Sequence, residues 1–353
     1  MSAPGRPKGE YRSAQRGGGP VLGLVAERTG ASRRSLVWAL LLLAALACVP
    51  FIADDYQLSI MTLIFLFASA GQAWNLMTGY AGQLSLGHAL YFGLGAYTMA
   101  ILSQKLGLTP WLGLPGAFIV GALLGALGGA LGFRFAVRGV YFALLTIALA
   151  ELGRILVEHW AYVGGTGGLF LTALAPDNVP LQTLRGGARF FYYALLITLA
   201  VIWGICTLLV HSRIGYQWRA VREDEDAARA IGVPAFRVKV IAAAISAGLT
   251  GVCGAWFGLM QGSLFPDSVL GIRMSIDILV APIVGGLGTL FGPLLGAVVI
   301  VLSNEFSKDL AQQFSINGIN FVIYGALLML IVCFAPRGLW PPLARLLRIG
   351  GRN

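Results

Sequence analysis

Ser85 and His88 stand three residues apart in "GQLSLGH", Gly82 to His88, a spacing that on a helix brings a hydroxyl within reach of an imidazole. Such a pair could act as a nucleophile and its base. No third group that would orient the imidazole is evident, which argues against a membrane-embedded enzyme and leaves a polar lining for a small solute. Glu151, Arg154 and Glu158 form a second set, spaced i, i+3 and i+7 in an apolar run. A carboxylate in such a run marks either a solute path or a charge neutralised along one helix face. The third set is "AVREDEDAAR", Ala220 to Arg229, with six charged residues in ten, where the whole chain is 11% charged. Its core is four consecutive acids, Glu223 to Asp226. A P-loop is excluded: the four lysines, Lys8, Lys105, Lys239 and Lys308, follow Pro, Gln, Val and Ser, so none completes the Gly-Lys-Ser/Thr that cradles a nucleotide. The four cysteines, Cys48, Cys206, Cys253 and Cys333, lie far apart in apolar runs, with neither metal-ligand spacing nor a disulfide framework. No catalytic residue and no metal site are expected.

The elements that must position these groups follow from composition. Of 353 residues, 57% are hydrophobic and 48 are glycine, while charge is far below the roughly 25% of soluble domains. This predicts an all-α polytopic membrane protein. Residues 1–34 carry seven Lys or Arg against two acids and read as a disordered basic tail. Apolar spans follow at about Leu36–Ala53, Leu58–Leu76, Leu84–Leu102, Trp111–Gly132, Val140–Val157, Phe190–Val210, Val240–Met260, Ile276–Leu290, Pro293–Leu302 and Ile319–Phe334, each approaching the roughly 20 residues a bilayer needs or forming part of a broken span. "GGLGTLFGP", Gly285 to Pro293, leaves one bent helix or two short ones open over 276–302. Parity favours ten helices. With both termini cytoplasmic, only Lys105, Arg154, Arg185, Arg189, Arg273 and Lys308 fall outside, which satisfies the positive-inside rule. The net charge of +10 therefore sets orientation and implies no nucleic-acid partner. The transmembrane domain spans 35–340 and a cytoplasmic tail covers 341–353.

This topology places the acidic block in a cytoplasmic loop, 211–239. Each acid would otherwise cost roughly 2.5–3.5 kcal/mol at the centre of a spanning helix. A helix is expected from about Gln217 to Ile231, with Gly232 as its C′ residue and Pro234 as its stop. It reads as a docking element: Ala220, Ala227, Ala228 and Ile231 face a partner's groove, Glu223 and Asp224 meet basic residues at its rim, Glu225 is a further contact, Arg219, Arg222 and Gly232 belong to the same coupling set, and Asp226 starts the solvated side. The loop on the other side, His159 to Arg189, is expected to be ordered. In the bilayer, Gln83, Ser85 and His88 are candidates for the solute path, together with Gly285 and Gly286 of the second glycine-rich break; for the glycines, close helix packing is the competing reading. Glu151 lies about 16 Å along its helix from Val140 at 1.5 Å per residue, near mid-bilayer. His159 and His211 sit at span ends and need no special role.

"WRAVREDEDAARAIGV", Trp218 to Val233, resembles the coupling-helix segment of permease subunits of ATP-binding-cassette importers for branched-chain amino acids. "GYAGQLSLGHALYFGLGAYT" from Gly79, "RGVYFALLTIALAE" from Arg138, "GGTGGL" from Gly164, "SLFPDSV" from Ser263 and "VGGLGTLFGPLLGA" from Val284 are similar to that family's segments in the same order. The resemblance implies half of a translocation pathway working by alternating access in a bacterial cytoplasmic membrane, in contact with its lipids. It also implies a second homologous permease, two cytoplasmic ATPases that bind ATP and Mg, and an extracytoplasmic substrate-binding protein, with no cofactor in this chain. Urea, short amides and aromatic acids are alternative cargoes of the same kind of complex. A stand-alone channel or secondary carrier is the rival from another class.

Overall fold

In a computed structural model of the chain, the described residues are 45–171, 184, 186–314 and scattered positions between 322 and 346. The basic tail 1–34, the first half of the expected first span, residues 172–183, most of Ile319–Phe334 and the last residues of the C-terminal tail lie outside them. The described part is helical, with one small antiparallel pair, Leu169–Phe170 against Ser263–Leu264, in which Leu169 faces Leu264. The helices are α1 (Asp55–Asn75), α2 (His88–Ala100), α3 (Pro110–Arg134), α4 (Val140–Glu158), α5 (Ala188–Val210), α6 (Arg213–Glu223), α7 (Glu225–Ala230), α8 (Ala235–Gln261), α9 (Pro266–Leu270), α10 (Ile272–Gly285), α11 (Gly292–Phe314) and α12 (Trp340–Leu346). Among the described residues six segments are long and apolar enough to cross a membrane: Asp55–Tyr80, Pro110–Arg134, Val140–Glu158, Ala188–Val210, Ala235–Gln261 and Pro266–Gly285.

The central rod is α8, packed between α2 and α3. Small residues make that possible, because helices in lipid associate by close backbone approach rather than by hydrophobic burial. A Cβ on Gly254 would lie 1.8 Å from the Phe92 carbonyl oxygen, and one on Gly95 would lie 2.1 Å from that of Gly251.

Two expected elements differ from what forms, and a third, left open, resolves into two helices with a longer second one. The helix expected from Leu84 starts at His88, and Ala81–Gly87 is not helical. The 276–302 region is two helices, α10 and α11, and the second runs to Phe314, well past Leu302. Gly286 at φ 126° and Gly288 at φ 71° separate them, a backbone that side chains with a Cβ rarely adopt. The single helix expected over Gln217–Ile231 is also two, α6 and α7, broken at Asp224. Asp224 is extended, at φ −155° and ψ 111°, and its carboxylate accepts from the N–H groups of Asp226 and Ala227. An aspartate gains more by capping a new helix than by continuing an old one.

Candidate functional site

Non-helical backbone inside a helical bundle needs partners for its polar groups within the protein. Ala81–Gly87 meets that condition through neighbouring side chains. The Gln83 N–H donates to the Met77 carbonyl at 3.1 Å, Thr78 donates to the Gln83 carbonyl at 3.0 Å, the Trp74 indole N–H donates to the Ser85 carbonyl at 2.7 Å, and the Leu86 N–H donates to Thr146 Oγ1 at 3.0 Å. At the end of the segment, His88 Nδ1 pairs with Ser85 Oγ and His88 Nε2 with Ser246 Oγ, each at 2.9 Å. Ser246 donates its one proton to the Ala73 carbonyl at 2.7 Å, so His88 Nε2–H donates to Ser246 Oγ and Nδ1 accepts from the Ser85 hydroxyl. The first turn of α2 is fixed by Ser275, whose hydroxyl accepts from the Ala89 N–H at 2.9 Å. Ser85, His88 and Ser246 are fully enclosed, while Gln83 is half-buried and bonds its own segment, donating to the Ala81 carbonyl at 3.1 Å. The sequence singled out Ser85 and His88. It did not pick out Trp74, Thr146, Ser246 and Ser275, whose signal is only that of isolated polar groups in apolar helices.

The second glycine-rich break meets the first. Asn75, at the end of α1, donates to the Thr289 carbonyl at 2.9 Å and accepts from the Gly288 N–H at 2.8 Å. A Cβ on Gly79 would lie 2.6 Å from the Gly288 nitrogen, so the two backbones touch. Gly285 is buried against Gly292 and Gly286 against Gly338. At this junction Arg222 of α6 donates from Nη1 to the Gly79 carbonyl at 2.6 Å, and its stem covers Gly82. One arginine of the charged segment thus touches the point where both breaks meet.

The charged segment is fastened to the bundle by its other charges as well. Trp218 is fully buried and donates to the Val238 carbonyl at 2.8 Å. Arg219 donates to the Val210 carbonyl at 2.7 Å and lies over the Tyr216 ring. Glu225 turns inward: its carboxylate meets Lys239 Nζ at 2.8 Å, Arg229, and Arg138 Nε at 3.7 Å. Lys239 is 2% exposed at its side chain and also lies 4.6 Å from the centre of the Phe133 ring. Asp226 stays in solvent and pairs with Arg138 at 3.2 Å, and the Arg138 guanidinium holds its carboxyl below the usual aspartate range. Ala228 is buried with Val221 and Ala235. Gly232, at φ 89°, ends the segment in the left-handed conformation. Among the positions proposed for docking, Glu223 is 73% exposed and pairs with its neighbour Arg222 at 2.8 Å. Tyr216, Ala227 and Ile231 are exposed too.

Glu151 lies on the open face of α4, which exposes Tyr141, Leu144, Leu152, Ile155 and Leu156. Arg154 Nε donates to both Glu151 oxygens at 3.0 and 3.1 Å, and the same guanidinium meets Glu158 and approaches Asp267 at 3.9 Å. Of the two readings of Glu151, the neutralisation along one helix face is formed, and the carboxylate is 47% exposed.

The model of a family described as "Branched-chain amino acid transport system / permease component" matches residues 56–332. The chain is 29% identical over 352 residues, 92% of its length and 79% of the relative's, to the high-affinity branched-chain amino acid transport system permease protein LivM of Escherichia coli (strain K12). LivM of Salmonella typhimurium is 29% identical over 341 residues, 88% of this chain and 76% of the relative. The probable branched-chain amino acid transport permease protein LivH of Methanocaldococcus jannaschii is 29% identical over 279 residues, 73% of this chain and 84% of the relative.

Proposed function

Because the chain belongs to the family of branched-chain amino acid transport system permease components, we propose that it forms half of the translocation pathway of an ATP-driven importer for branched-chain amino acids. In this reading it has ten membrane helices with both termini in the bacterial cytoplasm. The other half is a second homologous permease; the similarity to both LivM and LivH proteins supports two such subunits. Two cytoplasmic ATPases supply the energy, consistent with four lysines none of which follows glycine, and an extracytoplasmic binding protein delivers the solute.

The observation that carries this reading is the division of faces on α6 and α7. Their inner face is tied to α8 through Trp218 and Lys239, to the α3–α4 loop through Arg138, and to both glycine-rich breaks through Arg222. Their outer face leaves Tyr216, Glu223, Ala227 and Ile231 exposed. A unit so fastened moves as a block, so an ATPase closing against the outer face displaces the breaks directly through Arg222. Glu223 and Ile231 are the docking contacts; Arg219, Asp224, Glu225 and Ala228 shape the unit, and Gly232 ends it. The pathway lies against the open face of α4 with Glu151, and Gln83, Ser85, His88, Gly285 and Gly286 hold the breaks that border it.

The test is a double substitution on the outer face, Glu223→Arg with Ile231→Asp, in the assembled complex. ATPase co-purification and uptake should fall at least tenfold while thermal unfolding of the permease stays within about 0.5 kcal/mol, as for surface changes generally. Intact uptake with intact assembly would remove the docking role.

A further inference from the structure

A cavity of about 190 Å³ lies beside Glu151, walled by Leu86, Ile147, Ala150, Leu270, Ile272 and Ser275. Its position is defined by two interrupted helices. Leu86 precedes the start of α2 at His88, and Ile272 opens α10 just after Gly271 ends α9. Interrupted helices near mid-membrane are where transporters place solute sites, and Glu151 is at that depth by the count along α4. At roughly 30 Å³ per water molecule the space equals about six waters, enough for a short aliphatic chain. The walls are aliphatic apart from Ser275, whose hydroxyl is occupied by the Ala89 N–H. At the rim, one guanidinium, Arg154, is shared among three carboxylates, Glu151, Glu158 and Asp267.

We propose that this cavity and its rim form a binding subsite for a zwitterionic aliphatic amino acid, with the hydrocarbon side chain in the cavity, the ammonium on Glu151 and the carboxylate on Arg154. The subsite rests on the importer reading above and deepens it. The charge count supports the exchange. Three carboxylates around one guanidinium leave an excess of negative charge that an arriving ammonium offsets. The ligand's carboxylate replaces Glu151 on Arg154 as Glu151 turns to the ammonium, so every charge keeps a partner during the exchange. The zwitterion leaves the net charge of the cluster unchanged while both of its own charges find partners, whereas a carboxylic acid without an amine meets repulsion from the surplus carboxylates.

The experiment uses the complete importer in proteoliposomes and measures ATP-driven uptake of radiolabelled leucine and valine. Ala150→Leu fills the cavity and should lower leucine kcat/KM at least about tenfold, with a smaller loss for valine. Ile147→Ala enlarges the cavity and should shift the leucine-to-valine ratio the other way. Glu151→Gln should lower both solutes by a similar factor, chiefly through KM. The binding protein is the same in every complex, so its own selectivity cancels when each ratio is compared with wild type. A leucine-to-valine ratio unchanged in both cavity variants, or wild-type uptake by Glu151→Gln, overturns the subsite and leaves the importer reading standing. A wild-type complex that moves neither solute overturns both.

Discussion

The neutral break at Ala81–His88 and the charged unit at Arg213–Lys239 solve the same problem with opposite materials. Each holds irregular backbone against the bundle, and each is anchored on α8. Lys239 and Ser246 lie seven residues apart on that helix, about two turns and roughly 10 Å, on nearly the same face. Ser246 serves the break with hydroxyl and imidazole groups that carry no net charge. Lys239 serves the charged unit with a buried ion pair. The difference follows the surroundings: a full charge deep in the bundle is costly, whereas at the end of α8 the Lys239 and Glu225 charges are paired with each other and Glu225 also meets Arg138 and Arg229. One helix therefore senses both the segment where an ATPase docks and the segment that interrupts the membrane path.

The largest effect that would break this comparison comes from removing one charge of the buried pair. Glu225→Gln leaves the enclosed Lys239 ammonium without its carboxylate partner, facing a neutral amide and the Phe133 ring, and should cost about 3–5 kcal/mol of stability, as single-sided breakage of buried pairs does. Lys239→Met should cost less, because Glu225 keeps Arg138 and Arg229. The double variant should recover most of the loss. Chemical or thermal unfolding of the purified permease in detergent checks the order; equal losses in both single variants with no recovery would mean that the pair is not the anchor.

The contrast also explains what the sequence made legible. Four acids in an apolar chain stand out, so the charged unit was located from composition, yet its inward and outward faces were not separable. Glu225 and Asp226 are adjacent and alike as letters; the turn at Asp224 sends Glu225 to Lys239 and leaves Asp226 in solvent. The decision lies with Arg138 and Lys239, which are 88 residues before Asp226 and 14 after Glu225. The neutral break was visible by its glycines, and Ser85 and His88 do meet as their spacing suggests. They meet at the end of an extended segment, however, because Thr146, Ser246 and Ser275 offer the hydrogen bonds that a helix would have supplied. Hydroxyl groups are common in membrane helices, and nothing local marks these three.

A middle-sized effect probes the neutral side. Ser246→Ala removes the hydroxyl that bridges His88 Nε2 and the Ala73 carbonyl and should cost about 1–3 kcal/mol, the penalty for leaving a buried polar group unmet. The loss should not respond to salt, since no net charge is involved. Ser246→Thr keeps the hydroxyl and should lose less. If Ser246→Ala unfolds like wild type, the knot around His88 is not what holds the interrupted segment, and packing of Trp74 and Leu86 must do so instead.

The smallest expected effect sharpens the boundary between buried and exposed charge. Arg138 bonds Asp226 in open solvent and lowers its carboxyl pKa, first by hydrogen bonding and then by charge. A folded-state pKa below the unfolded value near 3.9 means that this pair stabilises the fold above the ordinary carboxylate range, and that the contribution is lost as pH falls through the lowered value. Thermal unfolding followed from pH 7 downward should therefore converge for wild type and Asp226→Asn at the acid end, with wild type slightly ahead at neutral pH. High salt should erase that neutral-pH advantage, because exposed pairs are screened, while leaving the Glu225→Gln deficit largely in place. An Asp226→Asn variant that matches wild type at every pH would show that Arg138 is held to the charged unit through Glu225 alone, and the link from α7 to the start of α4 would then run entirely through the buried pair.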